Sequence, residues 1–193
     1  MPTRDPIATF RRWYAAAARA RVPLHDAMAL ATADHRGTPS VRFVLLKGVD
    51  HRGFVFFTDS RSRKGRELAA RRRAAVAFYW DAISKQVRIE GRIVPVSAAE
   101  ADAYWQTRER GNRLAASSSM QSAPMPSHAW LLARWRRLRR NLAGAPVPRP
   151  AYWKGYRIVP DAIELWRRGP HRLHRRERYD RTRTRWRRRL LQP

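Results

Sequence analysis

The hydrophobic residues near the start of the chain recur every three or four positions, which is the spacing of one side of an α-helix. In residues 5–21 the apolar members of this set are Phe10, Trp13, Tyr14 and Ala17. Asp5 followed by Pro6 is a typical helix start, because an aspartate side chain caps the first turn and proline fits within it. The pattern therefore predicts an amphipathic N-terminal helix.

Short apolar segments follow, separated by turn-forming glycine, proline or charged residues. Such segments are typical of β-strands. The predicted strands are residues 27–33, 40–48, 53–58, 74–81 and 85–96, followed by YWKGYRIV, DAIELW, RLHRRERYD and RWRRRLL in the C-terminal part of the chain. Because short turns join many of these segments, we expect neighbouring strands to pair in an antiparallel way.

Three further segments have helical character. They are residues 62–72, a helix that begins at Ser97 with Glu100 completing a capping box, and residues 128–142, which follow a Ser-rich polar stretch at 112–127. The elements add up to an antiparallel sheet of six or more strands with a few helices outside it. The sequence thus predicts an α+β fold, built as a small β-barrel with peripheral helices.

Length and composition limit the architecture. A chain of 193 residues, 44% of them hydrophobic, can bury one good core, so we expect a single domain over residues 1–193. No run approaches the roughly 18 apolar residues of a membrane helix, and MPTRDPIATF lacks the apolar segment of a signal peptide. Cysteine is absent, which removes disulfides and thiolate chemistry and agrees with a cytoplasmic location.

The chain is strongly basic, with 42 lysines and arginines against 15 acidic residues and a net charge of +27. Such a charge favours partners that carry phosphate, including nucleic acids. Lysine occurs only at positions 47, 64, 85 and 154, however, and an arginine-rich, lysine-poor composition is what a GC-rich coding sequence produces. The arginines within 134–140 surround apolar residues at helical spacing, which is typical of a solvated helix face. A nucleic-acid role is therefore not the favoured interpretation.

The common phosphate-cradle and hydrolase motifs are absent from the sequence, namely GxGxxG, the P-loop, HExxH and GxSxG. The six histidines do not indicate a metal site. Only His171 and His174 are close in sequence, and both lie among arginines, whose charge repels a metal ion. We therefore expect no metal.

Several side chains suited to phosphate binding fall at strand ends. Alternation along residues 41–46 places Arg42 on a half-buried strand, where an arginine needs a bound anion or a carboxylate partner. Thr58, Arg63 and Lys64 lie where a strand gives way to a helix, so their side chains and the backbone amides can converge on one phosphate. A solvated basic turn is the alternative interpretation of this segment.

The segment GPHRLHRRERYD, residues 169–180, has two interpretations. If residues 171–179 are extended, Arg172, His174 and Arg176 project from one face and place an imidazole between two guanidiniums. That arrangement suits the wall of a pocket for an anionic ligand. A basic surface strand, or a surface that binds nucleic acid, would show the same pattern.

Taken together, the motifs resemble those of the pyridoxine (pyridoxamine) 5'-phosphate oxidase family, flavoproteins of the FMN-binding split-barrel fold. The similarity runs from DPIATFRRWY to the C-terminal RLLQP, and the order of the motifs is specific. The matching motifs are RFVLLK (42–47), FT (57–58), SRKGREL (62–68), QVRIEG (86–91), Tyr104 with Arg108, QS (121–122), PRPAYWKGYRI, IELW (163–166) and RLHRR (172–176).

The resemblance implies an antiparallel split β-barrel and an obligate homodimer that holds FMN between its subunits. Residues 26–110 would form the first barrel strands and helices, residues 111–150 a polar loop and a helix, and residues 151–193 the strands that complete the active site. Family members usually carry an N-terminal arm that folds over the substrate, and this sequence begins almost at the first predicted helix. We therefore expect no closing arm of that kind.

The family pattern also implies residue roles. FMN would be contacted by Arg42, Phe43, Val44, Leu45, Leu46, Lys47, Phe57, Thr58, Arg63, Lys64 and Gln86, with Gln121, Ser122, Trp166 and Arg176 arriving from the partner or the far side of the cleft. The substrate would be held by Lys47, Tyr104, Arg108, Asn112, Arg172 and His174. The catalytic pair would be Arg172 and His174, which cover the pyridine ring over the flavin.

The implied reaction is the oxidation of pyridoxamine or pyridoxine 5'-phosphate to pyridoxal 5'-phosphate, with dioxygen as acceptor and hydrogen peroxide as product. The alcohol gives the aldehyde directly, whereas the amine gives an imine whose hydrolysis by water releases ammonia. Two departures fall on the substrate side: Asn112 stands where the family usually has serine, and Ala115-Ala116-Ser117 replaces a usual Gly-Ala-Trp. One alternative is therefore an FMN oxidase of the same fold for another substrate, such as a phenazine precursor. The other is a flavin- or nucleic-acid-binding protein without turnover.

Overall fold

The computed structural model describes residues 5–183 and 185–193. These residues form five helices: α1 (Pro6–Arg19), α2 (Arg63–Ala70), α3 (Ala98–Thr107), α4 (Arg110–Ser118) and α5 (His128–Leu142). They form nine strands: β1 (Ala27–Ala33), β2 (Pro39–Leu45), β3 (Gly48–Asp50), β4 (Gly53–Asp59), β5 (Arg73–Trp80), β6 (Lys85–Pro95), β7 (Trp153–Arg167), β8 (Arg175–Arg181) and β9 (Trp186–Leu191). None of the helices in this part of the chain is long and apolar enough to cross a membrane.

One antiparallel sheet contains all nine of these strands. Their order is β2-β1-β5-β6-β7-β4-β3, and β8 pairs with the second half of β7 and carries β9 on its other side. The sheet curls, because β2 at one end of this order contacts β4 near the other end. The backbone N–H of Lys47 fixes that approach by donating to the carbonyl of Val55 at 2.8 Å. The curl brings the edge strand β2 beside the C-terminal end of β4.

Helix α1 packs against the curled sheet and closes the main core. Asp5 caps the helix by accepting a backbone N–H of the first turn at 2.9 Å, and Pro6 occupies the first helical position, as the sequence predicts. Phe10 is fully buried, and its ring packs edge-on against Phe54 at 4.9 Å and near Phe78 at 5.1 Å. These aromatic contacts attach the helix to β4 and β5.

A second, smaller core lies beneath α3 and α4. Its buried members are Trp105, Leu114, Val147 and Trp153. The indole N–H of Trp105 donates to the carbonyl of Val147 at 2.8 Å, which satisfies its polar group inside the core. This cluster fixes α3 and α4 against the first residue of β7.

The two longest strands bend together at one place. The register of β6 and β7 shifts between Glu90 and Gly91, opposite Pro160. A side chain at Gly91 would place its Cβ 2.2 Å from the carbonyl oxygen of Val159, so only glycine allows this close approach. The bend lets β7 continue unbroken from 153 to 167, where the sequence predicted two separate strands.

Most predicted elements are confirmed, including the helix at 128–142 and the strand at 27–33. Two predictions are wrong. The polar stretch at 112–127 was expected to lack regular structure, but its first part belongs to α4, because burial of Leu114 gives that segment an inward face. The extended segment predicted at 171–179 begins only at Arg175, since residues 170–172 form a 3₁₀ turn.

We predict that Gly65→Ala destabilises the fold by about 1–3 kcal/mol, because the added Cβ would lie 2.4 Å from the backbone oxygen of Ser60. The matched control is Gly111→Ala in α4, where nothing lies within 4 Å of the new Cβ, and stability should stay unchanged or rise by at most about 1 kcal/mol. Urea denaturation of both variants measures the difference. Equal midpoints would show that the start of α2 is not tightly packed against β4.

Candidate active site

A cleft of about 760 Å³ opens between β2, the end of β4, the start of α2 and the α3–α4 wall. Most of the residues that the sequence predicted for FMN or substrate line it. They are Arg42, Phe43, Val44, Leu45, Lys47, Phe57, Thr58, Arg63, Lys64, Tyr104, Arg108, Asn112, Gln121 and Ser122. Leu46 falls within this run, but its side chain is buried in the main core. The fold therefore gathers into one cavity residues that are far apart in the sequence.

The first turn of α2 forms the end of this cleft. Ser62 caps the helix, and its fully buried hydroxyl accepts from the N–H of Gly65 at 3.2 Å and donates to the carbonyl of Asp59 at 2.7 Å. The cap places Arg63 and Lys64 in the first turn, where backbone N–H groups have no acceptor within the helix. A helix N-terminus with two cations is a favourable place for a phosphate group.

Lys64 is a buried cation held by an amide rather than by a carboxylate. Its ammonium lies 2.9 Å from Oε1 of Gln121, which also accepts the hydroxyl of Thr58 at 2.9 Å. Burial lowers the pKa of Lys64, and the nearby Arg42 lowers it further. The Lys64 charge is therefore poorly compensated, and an anion in the cleft would stabilise it.

A buried carboxylate on α2 organises the arginines of the cleft. Oε2 of Glu67 accepts from Arg42 at 3.1 Å and from Ser40 at 2.7 Å, and Oε1 accepts from Arg63 at 2.8 Å. Thr32 donates to the same carboxylate. Burial alone would raise the pKa of Glu67, but these hydrogen bonds lower it to about 2. Of the two partners that the sequence allows for Arg42, a bound anion or a carboxylate, the structure shows the carboxylate.

Three aromatic rings and an arginine form the opposite wall. Phe57 stacks on Tyr104 with ring centroids 4.2 Å apart and on Trp153 at 5.0 Å, and the ring planes differ by 12° and 6°. The guanidinium of Arg108 lies over the Trp153 ring at 5.2 Å and over Trp105 at 5.6 Å. Burial lowers the pKa of Arg108, and the neighbouring Tyr104 opposes this shift. The wall suits a flat ring that carries an anionic group.

The cleft carries a large excess of positive charge. Among the described residues that line it, the cations are Arg42, Lys47, Arg63, Lys64 and Arg108, and the one acidic residue is Asp59. Asp59 is itself paired with Arg61 at 2.7 Å, and Lys47 is paired with Asp26 at 2.8 Å. Cations therefore remain at both the α2 end and the Arg108 end, and the cleft can accept anionic groups at two places.

The remaining predicted residues form a separate group at the other end of β7, which we call the distal cluster. It consists of Gln86, Trp166, Arg172, His174 and Arg176, none of which lines the cleft. Gln86, Trp166 and Arg176 are directly opposite one another on adjacent strands. Trp166 lies thirteen positions after Trp153 on β7, which is about 40 Å of strand path. One chain therefore does not bring the two groups of residues together.

The extended conformation predicted for residues 171–179 is wrong for the first residues of that segment. His171 and Arg172 have φ angles of 50° and 63°, so the chain turns there and Arg172 does not continue the face of β8. The ring of His174 packs on Trp166 with centroids 4.6 Å apart, and its Nδ1 accepts from the N–H of Gly169 at 3.3 Å. Because a turn begins at Pro170, the alternation of side chains that the sequence predicted for a strand does not extend back to Arg172.

Comparison with known proteins identifies the family. A model described as pyridoxamine 5'-phosphate oxidase matches residues 14–141, and one described as the pyridoxine 5'-phosphate oxidase C-terminal dimerisation region matches residues 153–193. The chain is 50% identical over 189 residues to the pyridoxine/pyridoxamine 5'-phosphate oxidase of Anaeromyxobacter dehalogenans, covering 98% of this chain and 96% of that one. The chain belongs to the pyridoxamine 5'-phosphate oxidase family.

Solved structures agree with this family assignment. PhzG from Burkholderia lata, in complex with tetrahydrophenazine-1-carboxylic acid, matches with a TM-score of 0.94 and 38% identity over 100% of this chain and 94% of that one. A pyridoxamine 5'-phosphate oxidase-related, FMN-binding protein from Nostoc punctiforme matches with a TM-score of 0.79 and 18% identity, over 95% and 97% of the two chains. This second likeness supports the fold alone and confirms the predicted FMN split barrel.

The region that matches the family's dimerisation model contains most of the distal cluster. Residues 153–193 contain Trp166, Arg172, His174 and Arg176. Next to the cleft, the edge strand β2 leaves Val41 and Phe43 70% and 76% exposed. The chain therefore has both a region that its family uses for dimerisation and an uncovered apolar edge beside the cleft.

Sequence reasoning missed two residues that hold cations of the cleft. Glu67 was placed within a predicted helix but received no role, although an acidic residue four positions after Arg63 can pair with it on one helix face. Trp153 lies in the PRPAYWKGYRI motif, and nothing in its spacing indicates that its ring meets Arg108. Trp153 meets Arg108 only because the second core packs the start of β7 against α3.

We predict that Glu67→Gln lowers the free energy of unfolding by about 1–3 kcal/mol at about pH 7, because a neutral amide replaces the carboxylate that Arg42 and Arg63 share. The pKa of Glu67 is lower in the folded than in the unfolded chain, so its stabilisation is complete above the unfolded value and is lost as pH falls towards about 2. The difference between wild type and variant should therefore shrink below about pH 4.5.

Urea midpoints measured between about pH 7 and about pH 3 check this prediction. The matched control is Asp161→Asn, which removes an exposed ion pair to Arg73 and should change stability by less than about 1 kcal/mol. A constant difference between wild type and Glu67→Gln at every pH would contradict the assigned role of the carboxylate.

Proposed function

We propose that this chain is a pyridoxine/pyridoxamine 5'-phosphate oxidase that uses FMN and dioxygen. The observation that carries the proposal is the cleft itself, which has a cation without a carboxylate partner at each of two ends and an aromatic wall. FMN carries one phosphate and the substrate carries another, so two separate anionic groups match two cationic ends. Family membership and 50% identity to oxidases of this kind support the same conclusion.

The residues at the α2 end fit the phosphate of FMN. Lys64 is buried and forms no ion pair among the described residues, and its burial, together with the nearby Arg42, lowers its pKa. Arg63, the hydroxyl of Thr58 and the first N–H groups of α2 surround the same place. The outer edge of β2 has no neighbouring strand in the described sheet, so its backbone groups can hydrogen-bond the edge of a flavin ring.

The residues at the other end fit the substrate. Arg108 and Tyr104 would hold the phosphate monoester, with Asn112 beside them on α4. Lys47 also lines the cleft and would contact both ligands. Bound FMN supplies the redox chemistry, a two-electron oxidation of the exocyclic C4' carbon with dioxygen as final acceptor and hydrogen peroxide as product. The protein residues bind and orient the donor carbon beside the flavin.

We also propose that the site is completed by a second copy of the chain. The distal cluster of one subunit would cover the cleft of its partner, with Trp166, Arg176 and Gln86 beside FMN and with Arg172 and His174 over the pyridine ring. The long path along β7 between the cleft and the distal cluster supports this arrangement, as does the family's dimerisation region. Residues 1–193 would thus act as one FMN-binding unit that works in pairs.

A second candidate function is an FMN oxidase for a phenazine precursor. The observation that favours it is the TM-score of 0.94 to the structure of PhzG with tetrahydrophenazine-1-carboxylic acid. The α4 segment also has small residues, Ala115 and Ala116, on the lining of the cleft. The aromatic wall would accept a flat tricyclic ring, and Arg108 a carboxylate.

The purified protein should be yellow, and anaerobic addition of pyridoxamine 5'-phosphate should bleach the flavin absorbance near about 450 nm because the donor reduces FMN. An absorbance spectrum before and after addition measures this. Bleaching by a reduced phenazine-1-carboxylate precursor but not by the phosphorylated vitamer would favour the second candidate. A protein that cannot take up FMN would contradict both.

The shared site predicts complementation between two inactive variants. Lys64→Met should lose FMN because the phosphate loses a buried cation, whereas Arg172→Ala should stay yellow but lose turnover. In a hybrid dimer, the cleft of the Arg172→Ala subunit meets the intact distal cluster of the Lys64→Met subunit. Co-refolding equal amounts with added FMN should therefore restore about a quarter of the wild-type activity, the share expected for random pairing.

The control mixes two cleft variants, Lys64→Met and Arg108→Met, which leaves no intact cleft in any dimer. Both mixtures are assayed for oxidase activity per subunit. Size-exclusion chromatography shows whether the refolded chains are dimers. No recovery in the first mixture, with hybrid dimers present, would place the whole site within one chain and would rule out the shared arrangement.

A further inference from the structure

Arg108 lies in an unusual environment for a partly buried arginine. No carboxylate among the described residues lies within 4 Å of it, and its Nε is buried without a hydrogen-bond acceptor in that part of the chain. Its Nη2 donates to the backbone carbonyl of Asn112 at 3.2 Å, and its other polar neighbour is the Tyr104 hydroxyl, which carries no negative charge at neutral pH. A buried cation normally has an ion pair, so something else must hold this guanidinium in place.

Two indole rings take the place of that ion pair. The guanidinium carbon of Arg108 lies 5.2 Å from the ring centre of Trp153 and 5.6 Å from that of Trp105. Both distances are within the range of about 6 Å over which a ring face attracts a cation. A ring face leaves the cation's charge largely available, whereas a carboxylate would neutralise it and compete with an incoming anion.

The two tryptophans differ in what else they do. Trp105 is fully buried, and its N–H is used by the carbonyl of Val147, so it belongs to the core. Trp153 lines the cleft and also stacks on Phe57, which in turn stacks on Tyr104. Trp153 therefore touches Arg108 directly and also lies beside Tyr104, with ring centroids 6.0 Å apart.

Trp153 is itself firmly fixed. Its backbone N–H donates to the carbonyl of Pro150 at 2.9 Å, and its carbonyl accepts from Arg149 at 3.0 Å. It is the first residue of β7 and pairs with Asp59 of β4. A side chain at Gly155 would place its Cβ 2.5 Å from the Phe57 ring, so the stack fills all the available space.

We propose that Trp153 is a positioning residue for phosphate recognition, which holds Arg108 through its ring face and keeps the arginine's charge available to the substrate phosphate. The proposal rests on the proposed function, because it takes Arg108 as the group that binds the substrate phosphate. It assigns to Trp153 selectivity for phosphorylated over unphosphorylated ligands. A residue with a purely structural role would affect both kinds of ligand equally.

The test compares two ligands that differ only in the phosphate, 4'-deoxypyridoxine 5'-phosphate and 4'-deoxypyridoxine. Neither can undergo the reaction, because each has a methyl group where the substrates have a hydroxymethyl or aminomethyl group. Equilibrium dialysis with the FMN-loaded protein gives both dissociation constants. Trp153→Leu should weaken the phosphorylated ligand about tenfold and the unphosphorylated ligand less than about twofold, whereas Trp153→Phe, which keeps a ring, should lose less than about threefold.

Two further variants sharpen the result. Trp130→Leu is the matched control, because Trp130 also carries an arginine on its ring, Arg134 at 4.8 Å, but is 42% exposed on α5 and does not line the cleft. It should leave both dissociation constants unchanged. In an Arg108→Met background, adding Trp153→Leu should cause no further loss of selectivity, because the group that Trp153 positions is gone.

Equal weakening of both ligands in Trp153→Leu would overturn the proposal, as would a selectivity loss that persists without Arg108. If circular dichroism shows that Trp153→Leu is unfolded, Trp153→Phe decides: a selective loss supports the proposal, and equal changes for both ligands overturn it. The proposed function fails separately, through absence of flavin bleaching by pyridoxamine 5'-phosphate in the wild type. The binding ratio needs no turnover, so the two failures are distinguishable.

Discussion

Positive charge is unfavourable to bury unless another group compensates it, and the cleft buries several cations with few carboxylates. Arg42 is compensated by the Glu67 carboxylate, Lys64 by the amide oxygen of Gln121, and Arg108 by the faces of aromatic rings. Each contact fixes a cation in place. Because only the first supplies a full negative charge, the cleft keeps the positive potential that phosphate ligands require.

The same strand connects this chemistry to the assembly. β7 begins at Trp153 in the aromatic wall and ends beside Trp166 in the distal cluster, and the bend opposite Gly91 lets it run unbroken between them. A strand of that length keeps the two groups of residues apart within one subunit. The proposed pairing of two chains at one site follows from this separation, and the proposed function depends on it.

Local patterns predicted the fold well where burial and local preference agree. The helix capped by Asp5 and the strand at 27–33 have the period, the boundaries and the flanking residues of their class. The predictions failed where a distant contact decides the conformation. Leu114 is helical because it packs into the second core, and Arg172 leaves the extended conformation in the turn that Pro170 begins.

The sequence by itself determined the fold class, the basic character of the site and, through the order of its motifs, the family. It also placed Arg42, Lys64 and Arg108 among the candidate ligands. Only the tertiary structure decided how those residues divide between the cleft and the distal cluster, and which groups hold them. The physical reason is that compensation of a buried charge depends on through-space contacts such as those of Glu67 and Trp153, and chain spacing does not encode them.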